Sequence, residues 1–483
     1  MGGRADKQNG SGAVVAGIFG IGLDTYWPQF SGLKQRLEGY QETISSEIRM
    51  HPGVRVVDAG LVDNPERARS VGSLFRQQQV DVIFLYISTY ALSSTVLPVL
   101  QEAQVPVVLL NIQPVPAIEY EAFNKLGDRG VMTGEWLAHC QACCVPEIAS
   151  VCKRAGIGYH LVTGYLGDST TFPQIHQWIS AAAVVKTMRQ NRLGVMGHYY
   201  AGMLDVYTDI TKQIAAFGGH VDLIEFDELA HLRKSVTAEA VTEKLQEFRH
   251  TFEVSPECEE YELERAARTS VALDQLIANH GLGSLAYYYE GSPGSDHEDV
   301  VTSVIAGNTL LTGKHVPVAG ECEIKNAQAM KIMDTLNAGG SFSEFYAMDF
   351  QEGIILLGHD GPAHMAIAEG TVKLVPLPVY HGKPGKGLSI QMSVKNGPVT
   401  LLSVCEGPEG VYMIVAEGES VPGPVLHIGN TNSRYRFPLN PAEFMRRWSE
   451  LGPSHHCAIG TGHHGETMEK IGAIAGIPVI RVC

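Results

Sequence analysis

Between Val80 and Asn111 the chain reads VDVIFLYISTYALSSTVLPVLQEAQVPVVLLN. Val80–Tyr86 and Val105–Asn111 are short apolar runs without polar alternation, the pattern of strands covered on both faces. Between them Val96–Ala103 predicts a helix. Two strands joined through a helix lie parallel, because only a crossover connection returns the chain to the same end of a sheet. The same unit extends backwards. Val14–Gly22 (VVAGIFGIG) and Val54–Ala59 (VRVVDA) read as strands, and Leu33–Met50 and Glu66–Gln79 as helices.

The pattern restarts at Arg192–Gly197, a strand, followed by a helix over Tyr207–Phe217 and a strand over Val221–Glu225. Helices over Ala238–Phe248 and Glu262–Asn279 and a strand over Ser284–Tyr289 complete it. From Glu344 onward the reading changes. Strand-like segments at Gly353–Leu357, Gly370–Val375, Leu388–Val394, Pro398–Val404 and Val411–Glu417 are separated by turns such as HGKPGKG and NGP. Short strands with Gly/Pro punctuation suit an antiparallel barrel or sandwich. A helix over Pro441–Leu451, a polar loop with two His pairs, and a helix-then-strand unit end the chain. The expected architecture is α/β: two consecutive doubly wound, Rossmann-like domains (1–170 and 171–325) and a β-rich, barrel-like C-terminal domain (326–483).

Composition narrows the function. With 36 Lys+Arg against 52 Asp+Glu, the formal net charge of −16 over 483 residues argues against a phosphate-tracking surface and hence against nucleic acid. Hydrophobic content of 45% with 18% charged residues is that of a globular chain. The apolar stretch Ala13–Gly22 is short for a signal core, and no run approaches the ~18–20 residues of a membrane span. Nine cysteines, an odd number in a chain this large, need no disulfide frame, so a reducing cytoplasm is the expected compartment.

Several motifs read better as packing than as chemistry. Gly17, Gly20 and Gly22 have the spacing G-x-x-G-x-G, the wrong order for a dinucleotide turn. Gly307–His315 (GNTLLTGKH) has five residues where a phosphate loop has four, and His315 stands where Ser or Thr would meet magnesium. His139, Cys140, Cys143 and Cys144 lack the second ligand pair of a structural zinc site.

The C-terminal half is richer in ligand types. Glu321 lies in PVAGECEIKN (317–326), Glu344 in GGSFSEFY (339–346), and His359 and Asp360 in LLGHDGPAH (356–364). His455, His456, His463 and His464 crowd into SHHCAIGTGHHGE (454–466). These acids and imidazoles follow strand ends and Gly-rich turns, where ligands project into clefts. An oxygen-rich set with imidazole suits Mn²⁺- or Mg²⁺-like ions rather than thiolate zinc.

On these segments the chain resembles the L-arabinose isomerase and L-fucose isomerase superfamily, and is closer to the arabinose isomerases. AGECEIKN aligns with the family's A-G-E-G-D-W-K-T and places a metal Glu on Glu321. SFSEFY aligns with S-F-M-E-D-Y and places the second on Glu344. GTGHHGE aligns with G-G-A-H-H-T, which implies His464 as ligand with His463 beside it toward substrate. The family's L-G-x-H puts the remaining ligand on Asp360, with His359 as the alternative ligand or a substrate contact. GHYYAGMLDV places a substrate-contacting Met on Met203. The resemblance implies a metal-dependent aldose–ketose isomerase using Mn²⁺, with Co²⁺ or Mg²⁺ as substitutes, and Glu321 and Glu344 as its acid/base pair. It implies the L-arabinose to L-ribulose type of reaction, with D-galactose to D-tagatose as a second. It further implies a homotrimer or homohexamer. An L-fucose/D-arabinose-type isomerase and a non-enzymatic sugar-binding protein are the alternatives.

Overall fold

In the computed structural model, residues 13–288, 290–380 and 383–483 are described. They belong to two compact units, Met1–Lys186 and Thr187–Cys483. Tyr289, at the end of the expected strand Ser284–Tyr289, and His381 and Gly382 of the expected turn lie outside the described residues.

The first unit carries β1 (Val14–Ile21), β2 (Val54–Val62), β3 (Val82–Tyr86), β4 (Val107–Gln113) and β5 (Tyr159–Tyr165). They form one sheet, all parallel, in the order β2-β1-β3-β4-β5. Every residue of β1 and β3 is buried, which is why their sequences do not alternate. Helix starts follow their caps: Asn64 accepts from the Arg67 N–H at 2.9 Å and Pro65 opens the helix Pro65–Gln77. The three early glycines are packing positions. A Cβ on Gly20 would stand 2.4 Å from Gln41 Oε1 and 2.6 Å from Leu61, and one on Gly22 would stand 2.7 Å from Trp27.

The second unit opens with β6 (Arg192–Met196), β7 (His220–Ile224), β8 (Glu253–Val254), β9 (Ser284–Tyr287) and β10 (Val318–Ala319). Four of these make a parallel sheet in the order β10-β9-β6-β7. The GNTLLTGKH segment lies mostly in the helix Ile305–Gly313, where Gly307 packs against Ser270. The remaining strands are β11 (Gly339–Asp349), β12 (Ile354–His359), β13 (Lys373–Pro376), β14 (Val379–Tyr380), β15 (Lys383–Pro384), β16 (Leu388–Gln391), β17 (Gly397–Gly407), β18 (Gly410–Val421), β19 (Thr431–Arg436), β20 (His456–Thr461) and β21 (Val479–Arg481). Seven of them form a sheet in the order β17-β20-β11-β12-β19-β18-β21, and β17 also pairs with β18 along its length. That last pairing closes six antiparallel strands into a ring, the expected barrel-like domain, with β21 added parallel to β18. The expected polar loop at 454–466 is partly a strand, β20, whose backbone pairs with both β11 and β17.

The helix Ile324–Thr335 is buried over Ile324–Asp334 and packs against β9 and β10 of the parallel sheet and against β11, β17 and β20 of the barrel. It joins the strand that ends just before Glu321 to the strand that carries Glu344. No described helix is long and apolar enough to cross a membrane.

Candidate functional site

Glu321 follows β10 after one residue, Gly320, at the carboxyl end of a parallel strand, where open α/β sheets place their ligand-binding groups. Its backbone is unusual. Glu321 and Cys322 have φ of 56° and 55°, the left-handed region that costs a non-glycine residue ~1–3 kcal/mol. Two hydrogen bonds hold this turn: Cys322 N–H donates to Tyr287 O at 2.8 Å and Glu323 N–H to Gly320 O at 3.0 Å.

Strand register supplies the other groups. On β11, Glu344 is paired with Gly358 of β12 on one side and with His456 of β20 on the other. His359 is the next residue after Gly358, so one rung of the barrel brings Glu344, His359 and His456 together. Phe342, two residues before Glu344 and so on the same face of the strand, packs its ring 4.5 Å from His359 and 4.3 Å from His456. Gly358 gives the strands room. A Cβ there would lie 2.3 Å from Thr431 O and 2.7 Å from Tyr346.

Three imidazoles converge on Glu321. His456 Nε2 lies 3.4 Å from its Oε2, His455 Nε2 3.6 Å from the same oxygen, and His359 Nε2 4.0 Å from Oε1. The Nε2 atoms of His359 and His456 are 3.2 Å apart. Each ring is held from behind through Nδ1: His456 by Glu323 Oε2 at 2.5 Å, His455 by Asp205 Oδ2 at 2.6 Å, and His359 by the carbonyl of Asp360. A ring nitrogen anchored on a carboxylate or carbonyl, with its opposite nitrogen aimed at a common point, is the arrangement that orients metal-binding histidines. Glu321, His359 and His456, all buried, have ligand atoms within 4.8 Å of one another, and so do Glu344, His455 and His456.

Electrostatics agree with that geometry. Burial pushes the Glu321 carboxyl up, but the His455 hydrogen bond and the His456, His359 and His455 rings together hold it below its ordinary value. Burial, and then the neighbouring His456, lower the pKa of His359, which keeps that ring neutral. Burial would lower His455 too, but Glu321 and Asp205 raise it to about 9. Glu344 is more open, and its Oε2 lies 4.0 Å from His455 Nε2. Together with Asp205, His455, Phe345, Trp448 and Met445 it lines a cavity of about 330 Å³.

Of the residues expected from sequence, Glu321, Glu344 and His359 come together here. Asp360 sits beside them, its carbonyl on the His359 ring and its charge, with that of Glu344, adding to the burial that raises the Tyr346 hydroxyl. Met203 is on the loop that delivers Asp205, two residues further on. His463 and His464 do not join either metal-type group. His464 Nε2 bonds Thr461 O at 2.9 Å and His463 Nε2 bonds Gly418 O at 3.1 Å. The pair that meets Glu321 is His455–His456, at the start of β20. Sequence reasoning also missed Glu323 and Asp205, although Glu323 stands two residues from Glu321 in the same quoted segment. In the first unit, the His139–Cys144 segment makes no metal-type group among the described residues. Cys144 exchanges hydrogen bonds with the Ala91 backbone, and burial raises the thiols of Cys140 and Cys144 to about 12 and about 11.

No protein-family model matches the chain. Two curated relatives do: a sulfoquinovose isomerase of Alkalicoccus urumqiensis, 23% identical over 303 residues (62% of this chain, 66% of the relative), and an L-arabinose isomerase of a Nocardioides species, 23% identical over 355 residues (70% and 68%). The match therefore spans about two thirds of each relative's length. Among solved structures, the chain matches ABC transporter solute-binding proteins of Burkholderia multivorans (TM-score 0.16, 13% identity) and of Actinobacillus succinogenes, the latter with bound D-allose (TM-score 0.15, 11% identity). Each match covers 64% of this chain and 97% or 95% of the other.

Proposed function

We propose that this chain, which belongs to the arabinose and fucose isomerase-like superfamily, is a metal-dependent sugar isomerase interconverting an aldose and its ketose. One observation carries the reading: three imidazoles, each braced through Nδ1, aim Nε2 at the buried Glu321 beside a second carboxylate that opens into a cavity. Glu321, His359 and His456 would hold a divalent ion, with Glu344 at its open side. The mix of carboxylate and imidazole suits Mn²⁺, with Co²⁺ or Mg²⁺ as substitutes. In this reading His456 takes the ligand role assigned above to His464, and His359 rather than Asp360 supplies the remaining ligand. Bound there, the ion would supply Lewis acidity to polarise a sugar carbonyl.

The chain's own groups move the protons. Going from aldose to ketose, Glu344 takes the proton from C2, and the electrons of that C–H bond form the C1–C2 double bond of an enediol. The same group, now an acid, returns the proton to C1. O1 must gain a proton and O2 lose one, and His455, within 4.0 Å of both Glu321 and Glu344, stands where it can relay between them.

The cavity bears on the substrate. Its lining includes the carboxylates of Asp205 and Glu344 and, among the described residues, no lysine or arginine. A sulfonate would need a free cation there, and the His455 imidazolium in that lining is already paired with Asp205 and Glu321, so a neutral aldose of the L-arabinose type, with D-galactose second, fits better than the sulfonated sugar in the first relative's name. The apolar wall of Phe345, Met445 and Trp448 favours a second reading, a 6-deoxy aldose of the L-fucose type, whose methyl would find that wall. A cytoplasmic homotrimer or homohexamer, built from two doubly wound domains and a barrel with divisions near residues 170 and 325, completes the proposal.

The test is ketose formation from a panel of neutral aldoses, deoxyaldoses and sulfoquinovose with Mn²⁺ present, and again after EDTA. Ketose from a neutral sugar, lost with EDTA and regained with Mn²⁺, is expected. Full turnover by rigorously metal-free protein would overturn the mechanism, and exclusive use of the sulfonated sugar would overturn the substrate class.

A further inference from the structure

The site's three imidazoles are not equally secured. His359 and His456 are buried (7% and 1% exposed) and lie at the ends of paired strands, so their backbones are fixed by the barrel. His455 precedes β20, and its side chain is 35% exposed on the cavity. A partly exposed ring outside the ladder has several staggered positions open to it. The His455 ring packs on that of His456, centroids 3.8 Å apart, and faces Glu321 through Nε2, while Asp205 holds its other side. Asp205 Oδ2 accepts from the His455 backbone N–H at 3.0 Å and pairs with the ring Nδ1 at 2.6 Å.

That carboxylate is itself delivered from a clamped backbone. The carbonyl of Asp205 accepts from Lys325 Nζ and, at 3.3 Å, from Ser454 Oγ. Lys325 lies four residues after Glu321, and Ser454 is next to His455. The turn Leu204–Val206 is thus tied both to the segment bearing Glu321 and to the segment bearing His455. Asp205 itself belongs to neither metal-type group.

We propose that Asp205 is a positioning residue for the isomerisation: by holding the backbone and ring of His455 at once, it keeps Nε2 facing the Glu321 and Glu344 carboxylates. This rests on the isomerase reading and adds to it a residue that acts through His455 rather than on the metal. Displacement of a reacting group by about 1 Å costs as much as ~10²-fold in rate, and a freed His455 ring would move further than that.

Asp205→Ala removes the grip, Asp205→Asn keeps its size and one oxygen acceptor, and Asp209→Asn is the control. Asp209 is four residues on and caps the helix Ile210–Phe217. Four quantities are read: kcat and KM at saturating Mn²⁺, Mn²⁺ affinity by titration calorimetry, and the orientation of His455 in crystals of each variant. For Asp205→Ala, kcat should fall ~10–10²-fold while KM and Mn²⁺ affinity stay within about threefold, with the His455 ring turned from Glu321. Asp205→Asn should fall between Ala and wild type, and Asp209→Asn should keep the wild-type kcat. A wild-type kcat in Asp205→Ala, an equal loss of Mn²⁺ affinity, or an unmoved His455 ring would each overturn the proposal. Should the wild-type protein isomerise no sugar at all, the reading of the activity fails, and the His455 ring in Asp205→Ala still decides the positioning claim on its own.

Discussion

Two His-His pairs stand eight residues apart in SHHCAIGTGHHGE, and nothing in their local chemistry tells them apart. Resemblance selects the second pair; backbone register selects the first. The difference is testable. His456→Asn should lower Mn²⁺ affinity ~10–100-fold, and excess Mn²⁺ should restore part of its rate. His464→Asn should leave Mn²⁺ affinity within about twofold of wild type, because its ring bonds the Thr461 carbonyl and, among the described residues, lies outside both groups. Titration calorimetry of both variants decides it, and the reverse order would return the ligand role to His464. The residues that were legible, Glu321, Glu344 and His359, are acids and an imidazole in segments with a distinctive neighbourhood. Asp205 and Glu323 were not, because a carboxylate that braces a ring looks, in one dimension, like any surface acid.

At the scale of the strand, the sequence was readable where burial is two-sided. Every residue of VIFLY in β3 is buried, and that strand is evident without a structure. The strand β20 is hidden because its six residues, HCAIGT, begin with the buried His456 and end beside glycine, so polar and glycine positions interrupt the apolar signal. TNSRYR in β19 is hidden differently. Its first five residues are buried although most are polar, since neighbouring strands and side chains satisfy them. Gly358 tests how closely these elements fit. Gly358→Ala should cost ~1–3 kcal/mol by overpacking against the Thr431 carbonyl, seen as a lowered Tm in scanning calorimetry. Its activity should fall further than its stability, because His359 is the next residue. An unchanged Tm would show that β12 and β19 can part without cost.

For the molecule as a whole, the two metal-type groups draw one carboxylate, Glu321, from the end of the parallel sheet and their other members from the barrel, so a bound ion would join the two layers of the second unit. Mn²⁺ at ~100 times its dissociation constant should then stabilise the protein by about 2.7 kcal/mol. The expected rise in Tm should vanish in the Glu321→Gln, His456→Asn double variant; an equal rise in that variant would place the metal elsewhere. Parallel sheets could be anticipated from runs and crossovers, and a barrel-like domain from short strands with Gly/Pro turns, but not which strands meet around the ring. β17 and β18 meet as a hairpin that turns between Gly407 and Gly410, but the pairing of β17 with the distant β20, which the ring also needs, is encoded by no local pattern. Closure has a further consequence for the chemistry. In an open sheet one strand can slide by a residue and reverse which side chains face inward, whereas in a six-membered ring a slip must be taken up by every junction before the last seam can reseal. The alignment of Glu344 with His456 and Gly358 is therefore a property of the ring's stagger, and any insertion within β11, β12 or β20 would move the acid and the imidazoles out of step together rather than one at a time.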